Sequence, residues 1–440
     1  MSNKKAARDC SLDSSLDSSL DTGRPVADST RPSSNERETS ESDGSESKPD
    51  LSRRQFLVRS AGVAGVSVGL GVRARAAHAA DNSPPLNIAL VGAGQRGMKL
   101  LSVLRDQTDA EVVAVVDPHP RRRGNARRLV GDQARLFSDL DGLMSFSRSG
   151  CADENQVDAV FIASPPAFHR QQALVALEAG WHVYLEKPLA LTVEDCDAVL
   201  RAALDAEDRG QVFQVGFQRR YSPSYQASVA SIHRGEAGPA PFVRAQWHAQ
   251  GESASHKRWI HDPTQSGGQI VEQASHQLDV FNWMFDSPPE RAYGFGGGFD
   301  PSPTSPGRAL EPGNADPVGL LLEYPHGGRV LLSHVTFAVP DRRFAGVHEL
   351  VFGERVGIEL GSGRAWDRRG RPLHLLDAPP SQMAADDTRI AVEGFVSHIR
   401  RGEHPLASAR TGHRATVTAL FCRAALQSRQ VLTWDDFLAL

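Results

Sequence analysis

A buried strand that runs straight into G-x-G-x-x-G and on into an amphipathic helix leaves a chain few folds to choose from. Leu86-Asn87-Ile88-Ala89-Leu90-Val91 reads as that strand and leads directly into Gly92-Ala93-Gly94-Gln95-Arg96-Gly97. The pattern that follows puts Met98, Leu101 and Leu104 on one helix face. A second strand, Glu111 to Val116, ends on Asp117, twenty positions after Gly97. Each part answers a physical need. Gly92 permits a tight turn, Gly94 lets backbone approach a pyrophosphate, and Gly97 lets helix and strand pack closely. The helix start at Gln95 and Arg96 offers free N–H groups to phosphate, and Asp117 offers a carboxylate to ribose hydroxyls. The order predicts a dinucleotide site. Asp117 favours NAD, because a carboxylate repels a 2′-phosphate; Arg121, Arg122 and Arg123 leave NADP open.

The alternation continues. Strands are expected at Asp158–Ala163, Trp181–Leu185 and Gln211–Val215, with helices near 168–179 and 193–207 between them. Strands and helices alternating at this spacing predict a doubly wound, parallel Rossmann sheet over 86–218. Lys187 then falls just past the carboxyl end of a strand, the edge at which such sheets bind ligands.

From here the chain resembles the glucose–fructose oxidoreductase/inositol dehydrogenase (Gfo/Idh/MocA) family. Ala163-Ser164-Pro165-Pro166 with His169 looks like that family's loop beside the nicotinamide, and Glu186-Lys187-Pro188 matches its E-K-P signature. Gly216-Phe217-Gln218-Arg219-Arg220-Tyr221 looks like its hinge, and Ser266-Gly267-Gly268 with Glu272, His276 and Asp279 like its substrate-site helix. The motifs cover about 86 to 285; beyond that the likeness is general. The resemblance implies a second α/β domain, over 219–440, with an open, largely antiparallel sheet covering the nicotinamide. It also implies Ser164, Pro165, His169 and Glu186 at the cofactor, and a sugar, polyol or sugar acid as substrate. Many family members carry Asp where this chain has Glu272.

On the His276 helix, Ile270, Ala274, Leu278, Phe281 and Phe285 form one apolar stripe, with Glu272, His276 and Asp279 opposite. Trp283 shares that polar face, which suits a covered cleft better than open solvent. The i, i+4 spacing predicts the Glu272 carboxylate beside the His276 ring, holding its tautomer. His276 is then the expected general base and Lys187 the group that stabilises negative charge on the reacting oxygen. Arg219, Tyr221 and Asp279 are candidate substrate contacts. His182, inside a strand, reads as structural; Gly294–Asn314 reads as a loop and Gly412–Ser428 as a helix.

Residues 1–50 are rich in Ser, Asp, Glu and Arg and read as a disordered tail. Ser52-Arg53-Arg54-Gln55-Phe56-Leu57 resembles a twin-arginine export signal. A short apolar run to Val72 follows it, then Ala77-His78-Ala79, so 51–80 is expected to be a signal peptide and the mature protein periplasmic or otherwise exported. An exported enzyme cannot draw on free cytoplasmic NAD, so a tightly held cofactor in a redox-neutral cycle, such as glycoside cleavage or epimerisation, is a second reading; a non-catalytic carbohydrate-binding protein is a third. Cys10, Cys151, Cys196 and Cys422 have no metal-ligand spacing, so no metal is expected. The net charge of −4 gives no reason to expect nucleic acid. The expected partners are a carbohydrate or polyol and the twin-arginine machinery, with a homo-oligomer left open.

Overall fold

The computed structural model describes residues 84–440 apart from 108, 149–155, 240, 250–257, 297–316, 337, 342 and 376–385. The tail and export signal read at 1–80 lie outside the described residues.

The first half alternates as its apolar runs require. In order come β1 (Leu86–Val91), α1 (Gln95–Arg105), β2 (Ala110–Val116), α2 (Pro120–Val130), β3 (Arg135–Phe137), α3 (Leu140–Arg148), β4 (Ala159–Ile162), α4 (His169–Glu178), β5 (His182–Leu185), α5 (Val193–Glu207) and β6 (Phe213–Val215). The strands form one parallel sheet in the order β3-β2-β1-β4-β5-β6. Strand order reverses between β1 and β4, and the crevice outside their carboxyl ends is where such a sheet takes a ligand. His182 is structural: its Nδ1 accepts the Val212 N–H at 2.9 Å.

The second half adds α6 (Pro223–His233), β7 (Phe242–His248), α7 (Ser275–Phe285), β8 (Arg291–Gly296), β9 (Val318–Glu323), β10 (Arg329–Val335), β11 (Gly346–Phe352), β12 (Val356–Glu359), β13 (Arg364–Asp367), β14 (Pro372–His374), α8 (Asp387–Arg401), α9 (Ala409–Ser428) and β15 (Leu432–Thr433). Its nine-stranded sheet runs β14-β13-β12-β11-β7-β10-β9-β8-β15. Here β7 and β10 are parallel and the other neighbours antiparallel. Alternation along a strand sends every second residue to the same face. On β7 the inward set is Val243, Ala245 and Trp247, in register with Val330, Leu332 and His334 of β10 and with Val351, Glu349 and Val347 of β11. One end of that face is therefore apolar core, and the other carries Trp247, His334 and Glu349.

Gly294 to Gly296 belong to β8 rather than to the loop expected at 294–314; residues 297–314 are outside the described set. The glycine there serves close packing: a Cβ on Gly294 would come within 2.6 Å of Leu426 Cα on α9.

Two C-terminal helices bind the halves together. α9 starts at Ala409, capped by Ser408, a few residues before its sequence pattern suggests. Thr416 Oγ1 accepts the Leu189 N–H and Thr418 Oγ1 accepts from Asn282 Nδ2, each at 2.9 Å. α8 returns to cover the first sheet, so residues within 219–440 complete the core of the Rossmann half. Its Phe395 ring stands edge-on to Phe161 and Tyr184, with centroids 5.2 and 5.7 Å away. Emptying such a site costs ~3–5 kcal/mol.

Candidate functional site

The turn from β1 to α1 is shaped by backbone contact. Gly92 has φ +94°, and a Cβ there would sit 2.7 Å from the Ala163 carbonyl carbon. A Cβ on Gly97 would lie 1.8 Å from Gly92 O, so only glycine lets the helix come this close. At Gly94 a Cβ would meet nothing within 4 Å, and no side chain caps α1. The first N–H groups of the helix, from Gln95 on, have no acceptor in the helix itself, and open space lies beside them. That is a fit for a pyrophosphate. Asp117 is buried at the end of β2; its Oδ2 accepts the Ala93 N–H at 2.9 Å and its Oδ1 the His119 N–H at 2.8 Å. A carboxylate has about four lone-pair sites, so two remain for ribose hydroxyls. Of the neighbouring arginines, Arg123 is spent on the Asp117 carbonyl, and Arg122 stands 3.8 Å from the carboxylate.

The other residues expected at the cofactor hold its walls in place. Arg96 Nε donates to Glu186 Oε1 at 2.6 Å and its Nη1 to Thr388 Oγ1 at 3.0 Å, while Nη2 is buried without a partner. The Glu186 carboxylate reaches this position because residue 216 is glycine; a Cβ there would be 2.6 Å from Oε2. Arg96 and Glu186 thus satisfy each other first, and the Nη2 nitrogen is left over among the described residues. His169 is almost fully buried, with Nδ1 2.7 Å from Pro188 O and Nε2 2.9 Å from Ser164 O. Each ring nitrogen faces a carbonyl and a neutral ring donates to one of them, so His169 lies between the Ser164 loop and the Lys187 loop instead of presenting a nitrogen to nucleotide. Ser164 Oγ donates to Gln172 Oε1 at 2.6 Å, and Pro165 caps the 3₁₀ turn at Pro166–Phe168.

The second half meets this edge at Ile270–Ala274, a π-helical turn that opens α7. Such wide turns occur frequently at functional sites. The expected pairing of Glu272 with His276 is not made. Lys187 Nζ instead takes Glu272, 3.2 Å from Oε1 and hydrogen-bonded also to the Glu272 carbonyl. Two causes combine: the π turn departs from the α spacing on which the i, i+4 expectation rests, and a cation from the other half is available. His276 stacks on Trp247 with centroids 6.1 Å apart and stands edge-on to Phe217 at 6.0 Å. Its Nδ1 is buried with no hydrogen-bond partner among the described residues. Burial first, then the Lys187, Arg219 and Arg96 cations, hold the imidazole well below its usual pKa of 6.5. The ring is therefore neutral at pH 7.

Three expected substrate contacts are otherwise engaged. Asp279 is buried and bidentate with Arg220, at 2.8 to 3.0 Å, and the guanidinium lies over the Trp283 ring at 5.0 Å. Tyr221 is buried under α8, its hydroxyl accepting the Ala407 N–H at 3.4 Å. Both are structural: the polar face of the helix is covered by the hinge, which a helical wheel does not reveal. Arg219 is at the site but paired, 2.5 Å from Glu349, and its guanidinium lies over Tyr225 and Trp247. Trp247 and Glu349 were absent from the sequence candidates. The signal was the alternation of β7 and β11, where a Trp and a Glu fall on the apolar face.

Residues 86–217 match the Gfo/Idh/MocA oxidoreductase family's NAD-binding Rossmann fold, and residues 225–359 match the Gfo/Idh/MocA C-terminal domain. The chain belongs to the Gfo/Idh/MocA family. Among curated Gfo/Idh/MocA relatives, the D-glucoside 3-dehydrogenase of Escherichia coli is 25% identical over 374 residues, 80% of this chain and 98% of its own. Inositol 2-dehydrogenase 2 of Saccharopolyspora erythraea is 31% identical over 201 residues, 45% of this chain and 53% of its own. The 2,7-anhydro-N-acetylneuraminate hydratase of Mediterraneibacter gnavus is 28% identical over 213 residues, 48% of this chain and 52% of its own. The match thus spans about half the length of these last two. A solved scyllo-inositol dehydrogenase from Lactobacillus casei, with bound NAD(H) and scyllo-inositol, shares the fold with TM-score 0.63 at 21% identity, over 79% of this chain and 99% of its own.

Proposed function

We propose that the protein oxidises a hydroxyl of a sugar or polyol with NAD. One observation carries this reading. Lys187, at the ligand-binding edge of the parallel sheet, reaches across to Glu272, one turn from a buried neutral histidine with an unpartnered ring nitrogen. NAD, when bound, supplies the hydride acceptor. The chain supplies the proton chemistry: His276 takes the hydroxyl proton, and the Lys187 ammonium donates to the same oxygen as it gains charge. Glu272 holds that ammonium in place. Trp247 and Phe217 wall off water.

Incubation with NAD and a panel of sugars and polyols is expected to yield NADH and a keto product in equal amounts, read at 340 nm. A relative named as a hydratase supports a second reading, a redox-neutral cycle on the same residues. Substrate consumption at constant absorbance would select it over net oxidation.

We infer further that the mature protein works outside the cytoplasm, from the Arg53-Arg54 pair and the apolar run behind it. Exchanging both arginines for lysine is expected to leave the precursor in the cytoplasm; normal periplasmic accumulation overturns this.

A further inference from the structure

Beside the proposed reaction centre lies a cavity of about 600 Å³, lined by residues that include Gln218, Arg219, Glu349, Glu359, Asp386 and Asp387. It begins one side chain away from His276, because Arg219 lies over Trp247 and Trp247 stacks on His276. On its other side Thr388 accepts from Arg96, so it adjoins the cofactor helix.

The lining has an unusual balance of hydrogen-bonding capacity. Its cation is already committed: Arg219 is paired with Glu349 at 2.5 Å, and Tyr225 donates to the other Glu349 oxygen at 2.6 Å. Asp386 is met by Lys99, and Glu359 by Arg364 at 3.0 Å and Ser362 Oγ at 2.6 Å. Asp387, half-buried, makes no ion pair within 4 Å among the described residues. Burial raises the Asp387 pKa, against the pull of Ser222 and Arg219, and Asp386 adds like charge beside it. Gln218 Oε1 has no hydrogen-bond partner among the described residues. The wall therefore carries more carboxylate than cationic charge, with Glu349, Glu359, Asp386 and Asp387 against Arg219, while Gln218 Nε2 and the His348 ring add neutral N–H donors. A ligand hydroxyl or ammonium finds oxygens to bond, whereas a ligand carboxylate or phosphate meets four carboxylates and an arginine already paired with one of them.

We propose that this cavity is the substrate's distal subsite, and that it selects sugars and glycosides that are neutral or carry an ammonium, against uronates and sugar phosphates. The proposal rests on the reading of Lys187 and His276 as a hydride-transfer site, which it narrows. At ~7 Å and an effective dielectric constant of ~20, one added like charge weakens binding by roughly ten- to a hundredfold.

The test uses the protein loaded with NADH and calorimetry at pH 8, with methyl glucoside, the corresponding 2-amino glycoside and the corresponding glucuronide. Binding of the first two at least tenfold tighter than the third is expected. Asp387→Asn should narrow that gap by threefold or more, with thermal unfolding checking that the variant folds. Turnover is followed in parallel at 340 nm with NAD. A glucuronide bound as tightly as the neutral glycoside, or a gap that Asp387→Asn leaves intact, overturns the subsite. The expected ranking without dehydrogenation of any compound overturns the hydride-transfer reading and keeps the subsite. Neither binding nor turnover overturns both.

Discussion

Lys187→Met and His276→Asn each lower the single-turnover rate of NADH formation by ~10²–10⁴, while NAD remains bound. Losing a positioned acid–base group costs about that much, and so does losing a charge aimed at the reacting oxygen. In the proposed mechanism both groups act on one oxygen in one transition state, so the double variant is expected to be far less impaired than the product of the singles. Cofactor binding survives because the phosphate turn and Asp117 owe nothing to either side chain. Lys187→Met also strips Glu272 of its cation, and both side chains are nearly buried, at 10% and 13% exposure. Lys187→Met with Glu272→Gln is therefore expected to recover stability without recovering rate, which separates chemistry from folding. The pH profile carries a sign as well. Because the folded-state pKa of His276 is depressed, the base form persists below pH 6.5, and the acid limb of kcat/KM should fall below that value. Multiplicative effects, or a fully active His276→Asn, would move the base to another residue.

Asp279→Ala destabilises the protein by ~3–5 kcal/mol, because it leaves a buried guanidinium without its counter-charge. Arg220 and Asp279 side chains are only 7% and 1% exposed, and the pair is bidentate. With each kcal/mol worth roughly 2–4 °C at this domain size, thermal unfolding should fall by on the order of 10 °C. Replacing both charges, Arg220→Met with Asp279→Leu, should return most of the loss, since apolar substitutes of similar volume avoid the desolvation cost. A substrate ligand behaves otherwise: Asp279→Ala would then raise KM tenfold or more with unfolding unchanged, and that result would put Asp279 back in the binding site.

Much of this protein could be read before any coordinates, because the relevant physics is local. A Cβ on residue 92 would sit 2.7 Å from the Ala163 carbonyl carbon and one on residue 97 would sit 1.8 Å from Gly92 O, so both positions admit only glycine and announce themselves in sequence. Runs of apolar residues separated by helical periodicity dictate a parallel sheet, and a parallel sheet dictates which edge holds Lys187. Partner choice was not local. Glu272 lies four residues from His276, yet it pairs with Lys187, 85 positions away. His276, Asp279 and Trp283 share one helix face, but only the packed hinge gave Asp279 to Arg220 and left His276 its free nitrogen. Trp247 and Glu349 reach the site from strands β7 and β11, separated by about a hundred residues, and only their register puts them on one face. Periodicity states which residues point together; which charge neutralises which is decided by elements that meet only when the chain has folded.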